Sequence, residues 1–229
     1  MSTKNYFNSI ALNNEGCEYL ECGDAVSARN CFRDALQSMT VSIVEAQNEI
    51  QDRLQPMGDG ERLSEFQWSA LPHTPLHVSP DAFFYQRGIL IYRDDDEEHC
   101  EGPSAFELSD ESSMIVYNLG LSLHLLAIST ATASLIDEAL SFYQIAEAIR
   151  SRRTNSKHPE LIDLAIYNNM GHVQYQHVNY EQARLCFGAL KEALITFSQL
   201  GLVAFLTEED SDGFVLNASM EEVTLAPAA

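Results

Sequence analysis

The side chains best able to bind a metal or to act in catalysis lie in YNNMGHVQYQHVNYEQARLCF, residues 167–187. His172 and His177 are five positions apart, so on one helix they diverge by roughly 140° around the axis. Metal-binding histidines on one helix stand three or four positions apart, as in H-E-x-x-H. Cys186 stands next to Phe187, in a packing run where a free cysteine behaves as a small hydrophobe. The spacing therefore favours scaffold over a metal site, and we expect no cofactor.

Two acidic runs and one His-Cys pair are the other candidates for chemistry. DDDEEHCE (94–101) and EEDSDG (208–213) lack the alternating ligands and central glycine of an EF-hand loop, so a solvated acidic loop is the simpler interpretation. His99 and Cys100 are adjacent, and nothing in the pattern arranges them as a base and a nucleophile. The sequence has no GxSxG, no phosphate-binding glycine loop and no dinucleotide fingerprint. We therefore expect a protein that is not an enzyme.

Charge and cysteine content narrow the classes of partner and compartment. The net charge is −21, from 13 Lys and Arg against 34 Asp and Glu in 229 residues. Such a balance repels phosphate backbones and anionic membrane surfaces, so neither nucleic acid nor a membrane is an expected partner. The five cysteines are irregularly spaced, which fits a reducing compartment, the cytoplasm or the nucleus. The N-terminus has no apolar signal core, and no apolar run is expected to reach membrane-spanning length.

Helical patterns dominate the chain and predict a mainly α fold, one domain over residues 1–229. The first helix pair covers residues 6–54 and breaks at Gly23 and Asp24. Two further pairs cover residues 110–200, with helices at 110–128, 136–151, 159–177 and 180–200. Ser109 or Asp110 is expected to cap the helix that follows it, and Pro159 to occupy a first helical turn.

The segment between the first pair and the rest, residues 55–109, is predicted to be an insertion. Residues 56–81 are rich in proline and glycine, show no period and predict a surface loop, with Trp68 as its anchor. AFFYQRGILIYR (82–93) is rich in aromatic and β-branched residues and predicts a strand. AFELS (105–109), and GFVLNAS (213–219) in the C-terminal segment 201–229, are its candidate partners. These segments together predict a small β element.

The helix pairs share a spacing of small and aromatic residues. Gly16 and Gly171 each precede an alanine by 12 positions, and each alanine precedes a phenylalanine by 4. Gly120 precedes Ala139 by 19 positions, which indicates a longer connection in the middle pair. The alanine and aromatic positions are Ala28 and Phe32, Ala139 and Tyr143, and Ala183 and Phe187. Glycine and alanine let the backbones of an antiparallel pair approach, and the aromatic side chains fill the space beside them.

This pattern resembles the tetratricopeptide repeat (TPR) family over about half of the chain. The chain departs from the family in three ways. Tryptophan is absent from the aromatic position, Thr40 stands in place of the closing proline, and the repeats are not contiguous. Gly16, Gly120 and Gly171 are 104 and 51 positions apart, whereas a regular array advances about 34 residues per repeat. The resemblance implies stacked antiparallel helix pairs with a long insertion after the first.

The resemblance also implies a concave groove, lined by the first helix of each pair, that binds a peptide or a partner domain. The matching positions are Asn13, Cys17, Leu20, Tyr117, Leu121, His124, Leu125, Asn168, His172, Tyr175 and Gln176. The alternative is that the insertion or the β element fills this groove. Of these positions we take Tyr117, Leu121 and Tyr175 as the first to test, since a few buried aromatics supply most of the affinity in such contacts.

The lack of basic residues at the matching positions argues against one kind of TPR ligand, the acidic tail of a chaperone. TPR domains that clamp a chaperone's acidic C-terminal tail use lysine, arginine and asparagine, because carboxylate binding depends on charge-assisted hydrogen bonds. The matching positions in this chain are Asn13, Cys17, Asn118, Ala165 and Asn169. None is basic, so binding to acidic chaperone tails is not expected.

Three functions remain open from the sequence. The first is a non-catalytic interaction or adaptor protein, acting alone or as a subunit of a larger complex, with a protein or peptide partner. The second is an enzyme or ligand-binding protein with a pocket between the helices and the β insertion, where Arg87 or Arg93 holds an anionic ligand. Pairing of these arginines with the adjacent acidic run is the simpler interpretation. The third is self-association through an uncovered apolar end helix.

Overall fold

A computed structural model describes residues 3–53, 83–92, 103–152 and 158–222. These residues are mainly helical and include no strand, so the predicted mainly α class is confirmed, whereas the small β element is not found among them. The α-helices are α1 (Thr3–Glu21), α2 (Ala25–Arg53), α3 (Ala105–Thr130), α4 (Ala133–Ser151), α5 (Leu161–Gln176), α6 (Tyr180–Gln199) and α7 (Glu208–Ser219). Short 3-10 helices cover Leu202–Phe205 and Met220–Glu222.

Short connections make α1 and α2, α3 and α4, and α5 and α6 pack as antiparallel pairs. Between α1 and α2, Gly23 has a φ of +76°, a conformation that glycine adopts without strain. Asp24 then caps α2, because its carboxylate accepts the Ser27 N–H at 3.0 Å and the Ser27 hydroxyl at 2.6 Å. The chain therefore reverses direction within a few residues at the position where the sequence predicted a break.

An aromatic ring lies over a glycine in each of the three pairs. A Cβ atom on Gly16 would lie 2.5 Å from Cε1 of Phe32, so only glycine fits beneath this ring. The same contact joins Gly120 to Tyr143, where a Cβ would lie 3.1 Å away, and Gly171 to Phe187. The partner alanines are buried. The spacing recognised in the sequence thus corresponds to one packing contact repeated in three helix pairs.

A buried arginine ties the middle helices together. Arg150 of α4 donates from Nη1 to Asp110 of α3 at 2.7 Å and pairs with Asp163 of α5 through Nε and Nη2. Its Nη2 also lies 3.3 Å from Glu160. The Arg150 side chain is only 5% exposed, so these carboxylates provide the countercharges that such burial requires. A cavity of about 90 Å³ beside it is lined in part by Glu147 and is part of this ion-pair cluster.

Helix α3 contradicts the expectation that no apolar run reaches membrane-spanning length. Its stretch Glu107–Thr130 is long and apolar enough to cross a membrane by length and composition. Within the protein, 72% of its most apolar window is buried, and the helix packs against α2 and α4. The apolar character of α3 is therefore accounted for by its position between two other helices.

Helix α3 also begins earlier than predicted. The AFELS stretch (105–109) is its first turn and not a strand, because Ser104 and Glu107 form a capping box. The Ser104 hydroxyl accepts the Glu107 N–H at 3.2 Å, and the Glu107 carboxylate accepts the Ser104 N–H at 2.6 Å. Ser109 and Asp110, predicted as caps, consequently lie inside the helix.

The GFVLNAS stretch (213–219) is likewise helical, as the second half of α7. Thr207 caps this helix by accepting the Asp210 N–H at 3.2 Å. Glu208, Glu209 and Asp210 occupy the first turn, where negative charge is favourable at the positive end of the helix dipole. Thr207 and the acidic run before the apolar stretch therefore favour a helix over a strand there. The third predicted strand, within 82–93, is extended from 83 to 92 but pairs with no other strand among the described residues.

Helix α5 starts at Leu161, with Glu160 as its cap, so Pro159 precedes the first turn and does not occupy it. Several sequence-based expectations lie outside the described residues. They are the linker 56–81 with Trp68, the acidic run 94–101 with His99 and Cys100, and Arg93.

Candidate functional site

Residues 83–92, called here the docked segment, lie extended against helices α1, α3, α5 and α7. Its residues Phe84, Tyr85, Ile89 and Ile91 are buried, with at most 9% exposed. The segment therefore occupies the face of the first helices that the sequence marked as a groove. Of the two alternatives for that groove, open or filled by the insertion, the structure has the filled one.

Four asparagines, one from each of the four helices, bond both the N–H and the carbonyl of one residue in the docked segment. In α3, the Asn118 carboxamide accepts the Ile89 N–H at 2.8 Å and donates to the Ile89 carbonyl at 2.8 Å. The other three make the same two bonds: Asn14 with Ile91 (2.9 and 2.9 Å), Asn169 with Tyr85 (3.1 and 3.0 Å), and Asn217 with Phe83 (2.9 and 2.6 Å). We call Asn14, Asn118, Asn169 and Asn217 the asparagine row.

The asparagine row substitutes for a neighbouring β-strand. A carboxamide has one carbonyl acceptor and an NH₂ donor, which match the N–H and C=O that a residue presents along one edge of an extended chain. Buried main-chain groups need such partners, and here side chains supply them where a strand would in a sheet. Because the contacts are to main-chain atoms, they hold an extended chain with little regard to its side chains.

Two further asparagines orient the row. Asn13 donates to the Ile89 carbonyl at 3.1 Å and accepts from Asn118 Nδ2 at 2.8 Å. At the other end, Asn168 donates to the Phe83 carbonyl at 3.2 Å and accepts from Nδ2 of its neighbour Asn217 at 2.8 Å. The bonds to Asn13 and Asn168 thus hold the amides of Asn118 and Asn217 with their nitrogens towards a segment carbonyl.

The Phe84 ring lies between two buried histidines. Its centroid is 4.0 Å from that of His124 and 5.3 Å from that of His172, and Gln176 lies beside His172 with their side-chain nitrogens 3.3 Å apart. We call His124, His172 and Gln176 the histidine pocket. Burial lowers the pKa of His172 to about 4. Burial, and then the charges of His172 and His177, lower the pKa of His124 well below its usual value. Both imidazoles are therefore neutral at neutral pH.

An aromatic cluster and one ion pair hold the segment on α7. Phe214 stacks on Tyr85 at 5.2 Å and meets Phe83 edge to face at 5.6 Å between centroids. A Cβ on Gly213 would overlap the Phe83 ring, so α7 needs a glycine there. Arg87 Nε lies 3.1 Å from the Asp210 carboxylate, whose side chain is 9% exposed. Among the described residues, the charged partner of Arg87 is thus Asp210 on α7, while the adjacent acidic run, which the simpler sequence interpretation named as its partner, lies outside them.

Glycine is also required in the segment itself. A Cβ on Gly88 would lie 2.8 Å from Cys17 Sγ and 3.4 Å from Leu20, both on α1. Cys17 Sγ lies 3.6 Å from the Ile89 carbonyl. Burial, together with the neighbouring Glu21 and Glu18, raises the pKa of the Cys17 thiol to about 12. The thiol is therefore protonated and covered while the segment is docked.

The residues predicted from the sequence divide into two groups. Asn13, Cys17, Leu20, His124, Asn168 and His172 contact the docked segment. Tyr117 and Leu121 are fully buried in the core, where the Tyr117 hydroxyl accepts from Asn169 at 3.3 Å. Tyr175 packs against Tyr180 at the turn into α6, at 5.3 Å between centroids. Leu125 is partly buried against the core, and Gln176 contacts His172.

Sequence reasoning missed most of the asparagine row. Asn14 and Asn217 were not singled out, and Asn118 and Asn169 entered only as positions without a basic charge. The signal was present, since an asparagine stands two positions before each repeat glycine: NEG at 14–16, NLG at 118–120 and NMG at 169–171. The same two-position offset places each amide on the segment side of its helix, opposite the aromatic ring that covers the glycine.

The candidate metal ligands are held apart. His172 belongs to the histidine pocket, while His177 ends α5 with Nε2 3.6 Å from Asp137. Cys186 is half-buried, and burial, then the charge of Glu147, raises the pKa of its thiol to about 11. Among the residues that the structure describes, no three His, Cys, Asp or Glu side chains are grouped as metal ligands. Phe84 and Tyr85 of the docked segment are buried against the helices, at 7% and 3% exposed.

Comparison of the chain with protein-family models, with curated proteins and with solved structures found no significant match.

Proposed function

We propose that this protein is a non-catalytic interaction protein, an adaptor or a subunit of a larger complex, whose groove recognises an extended stretch of polypeptide. The helix pairs would stack in the TPR-like manner, with α7 as the first helix of a fourth, incomplete pair. Support for this comes from the ring-over-glycine contact that recurs in all three complete pairs, and from the asparagine that each of α1, α3, α5 and α7 directs to one line.

The observation that carries the proposal is the asparagine row. Apolar side chains alone could pack a loop onto a helical core, and such packing needs no polar partner. Burying the carboxamides of Asn118, Asn169 and Asn217, and partly burying that of Asn14, is unfavourable unless each finds a hydrogen-bond partner. An extended main chain satisfies all four at once. The groove is therefore chemically specific for an extended peptide, and the docked segment is the peptide that occupies it in this state.

Affinity purification from the native source, followed by mass spectrometry, tests this function. The baits are the wild-type chain, Gly88→Val, which disfavours docking of the chain's own segment, and the double variant Gly88→Val/Asn169→Asp, in which the groove is also damaged. We expect Gly88→Val to recover partners more strongly than wild type and the double variant to lose them. Partners recovered equally by all baits would contradict binding through this groove.

Self-association is a second candidate, because apolar side chains remain exposed at the α7 end of the molecule. Phe205 is 81% exposed, and Val215 and Leu216 on α7 are 54% and 50% exposed. Such a face is the uncovered end helix expected when a helical repeat is irregular. Light scattering coupled to size-exclusion chromatography tests it, since a concentration-dependent dimer that Val215→Glu abolishes would support it and a monomer at all concentrations would not.

A further inference from the structure

The histidine pocket contains polar atoms that the docked segment does not satisfy. His124 Nε2, His172 Nδ1 and Gln176 Oε1 are buried and make no hydrogen bond within the structure. His124 is fully buried, and His172 and Gln176 are 4% and 2% exposed. The side chain between the two imidazoles is Phe84, which has no hydrogen-bonding group. The asparagine row and Asp210, in contrast, are paired with the segment.

The mismatch cannot be removed by exchanging atoms within the pocket. With His172 Nε2 joined to the Gln176 amide, its other ring nitrogen stays unpaired in either tautomer. His124 uses Nδ1 towards the Tyr143 hydroxyl at 3.3 Å, which leaves Nε2 without a partner. Unpaired buried polar groups are rare in proteins and costly, so their concentration around one ring points to a ligand group that is not phenylalanine.

The charge of the groove adds a second preference. Asp210 is almost buried and pairs with Arg87, three positions after Phe84. An incoming peptide without a cation at that position would leave this carboxylate with the Thr207 hydroxyl at 2.6 Å but without a countercharge. The next position, Gly88, has no room for a side chain against Cys17. These constraints define a short pattern of a ring, a cation three positions later and then a glycine.

We propose that the partner of this groove is an extended peptide with tyrosine in the place of Phe84, a basic residue three positions later and glycine next. The docked segment then acts as a weaker intramolecular competitor that the partner peptide displaces. The tyrosine hydroxyl both donates and accepts, so it can serve the unpaired atoms of His124 or His172. This inference rests on the proposed function, since it assigns a ligand to the same groove.

Competition with the docked segment determines how tightly an added peptide is expected to bind. A peptide binds only the fraction of chains whose groove is open, so its apparent Kd rises as that fraction falls. Weakening the docked segment raises the open fraction and lowers the apparent Kd for every peptide. Gly88→Val does this without changing any residue of the helices, because its side chain collides with Cys17 while the added peptide keeps its glycine.

Fluorescence anisotropy with labelled peptides on the full chain tests the inference. The native peptide is AFFYQRGILIYR, the sequence of residues 82–93, and the test peptide has tyrosine in the place of Phe84. A matched control peptide has tyrosine in the place of Phe83, which packs on Phe214 away from the histidines. We expect all peptides to bind Gly88→Val about tenfold more tightly than wild type. The test peptide should bind Gly88→Val about fivefold more tightly than the native and control peptides do.

A second measurement uses the chain itself and does not depend on peptide binding. Phe84→Tyr in the intact chain should raise Tm and slow alkylation of Cys17, which the docked segment covers, whereas Phe83→Tyr should do neither. Cys22 is exposed and serves as the internal reference for alkylation.

The possible outcomes distinguish a failure of the proposed tyrosine-containing ligand from a failure of the proposed function, binding of an extended peptide in the groove. Equal affinity of the native and test peptides for Gly88→Val, with no gain from Phe84→Tyr, would overturn the tyrosine preference and leave the groove's function standing. No peptide binding to a Gly88→Val chain of undiminished helical circular dichroism would overturn both. A wild-type dimer that exchanges docked segments would also overturn the inference, because the occupant would then be a second copy.

Discussion

The carboxamide of Asn118 bonds both main-chain groups of Ile89, accepting its N–H at 2.8 Å and donating to its carbonyl at 2.8 Å. The two residues are 29 positions apart and belong to a helix and to an extended segment. Three other asparagines repeat the contact along the segment. A helical protein thereby holds an extended chain as a β-sheet would, and this relationship leads to the predictions below.

Asn118→Asp should destabilise the protein by about 3 kcal/mol, because the variant keeps the acceptor but loses the donor and places a buried charge against a carbonyl. Chemical denaturation measures the loss. Asn8→Asp is the matched control, since Asn8 is exposed and its side chain donates to the Ser38 hydroxyl on α2 at 3.0 Å. The expected effect of this variant on the free energy of unfolding is within about 0.5 kcal/mol. Equal losses in the two variants would show that charge alone, and not the main-chain contact, determines the effect.

Gly171→Ala should cost several kcal/mol, because the added Cβ overlaps the Phe187 ring and the close approach of α5 and α6 cannot be kept. Gly188→Ala is the control within the same pair. The nearest atom to its Cβ would be the flexible Glu221 side chain at 3.4 Å, so replacing this helical glycine should stabilise by up to about 1 kcal/mol. Thermal unfolding compares the two, and a neutral Gly171→Ala would contradict the ring-over-glycine contact.

The sequence predicts an element of the fold well where the residues that determine it lie within that element, and poorly where they lie outside it. The glycine-alanine-phenylalanine spacing is a local consequence of helix packing, so the ring-over-glycine pairs could be anticipated from Gly16 and Gly171. The strand predictions were wrong because capping groups outside the apolar stretches decide their structure, Ser104 for α3 and Thr207 for α7. Residues 83–92 do look like a strand, and they are extended, but their partners are side chains.

The candidate site was less predictable for a related reason. Main-chain recognition by asparagines joins residues far apart in the sequence, such as Asn217 and Phe83, 134 positions apart. The sequence around either residue does not predict such a contact. The recurrence of asparagine before the repeat glycines shows which faces the amides share, but it does not indicate what lies on those faces. His124 and His172 were predicted as groove residues and contact the docked segment, whereas their aromatic partner, Phe84, was not singled out.

Arg150→Met should destabilise the protein by about 3 kcal/mol or more, because it removes the guanidinium that pairs with the partly buried carboxylates of Asp110 and Asp163. Arg33→Met is the control: Arg33 pairs with Asp34 at 3.6 Å with both side chains largely exposed, and its loss should be nearly neutral. Denaturation at neutral pH measures both. A small effect of Arg150→Met would show that the cluster does not tie α3, α4 and α5 together.

Stability should fall as the pH decreases from about 6.5 towards 4, in part because of the histidine pocket. The pKa of His172 is lowered to about 4 by burial, so over this window the unfolded chain binds a proton that the folded chain does not. Each such histidine contributes a slope of up to about 1.4 kcal/mol per pH unit, with stability rising as pH rises. His172→Phe should reduce the slope by that amount. An unchanged slope in urea titrations across the window would refute the buried neutral state.

Amide hydrogen exchange of residues 83–92, followed by NMR, tests the central claim most directly, because it reports each main-chain N–H separately. The asparagine row binds the amides of Phe83, Tyr85, Ile89 and Ile91. We expect these four to exchange slowly and the intervening Phe84 and Leu90 to exchange faster, with Asn169→Ala, which removes the acceptor of the Tyr85 N–H, abolishing the protection at Tyr85 first. Uniformly rapid exchange, or protection without this pattern, would contradict recognition of the main chain by asparagine.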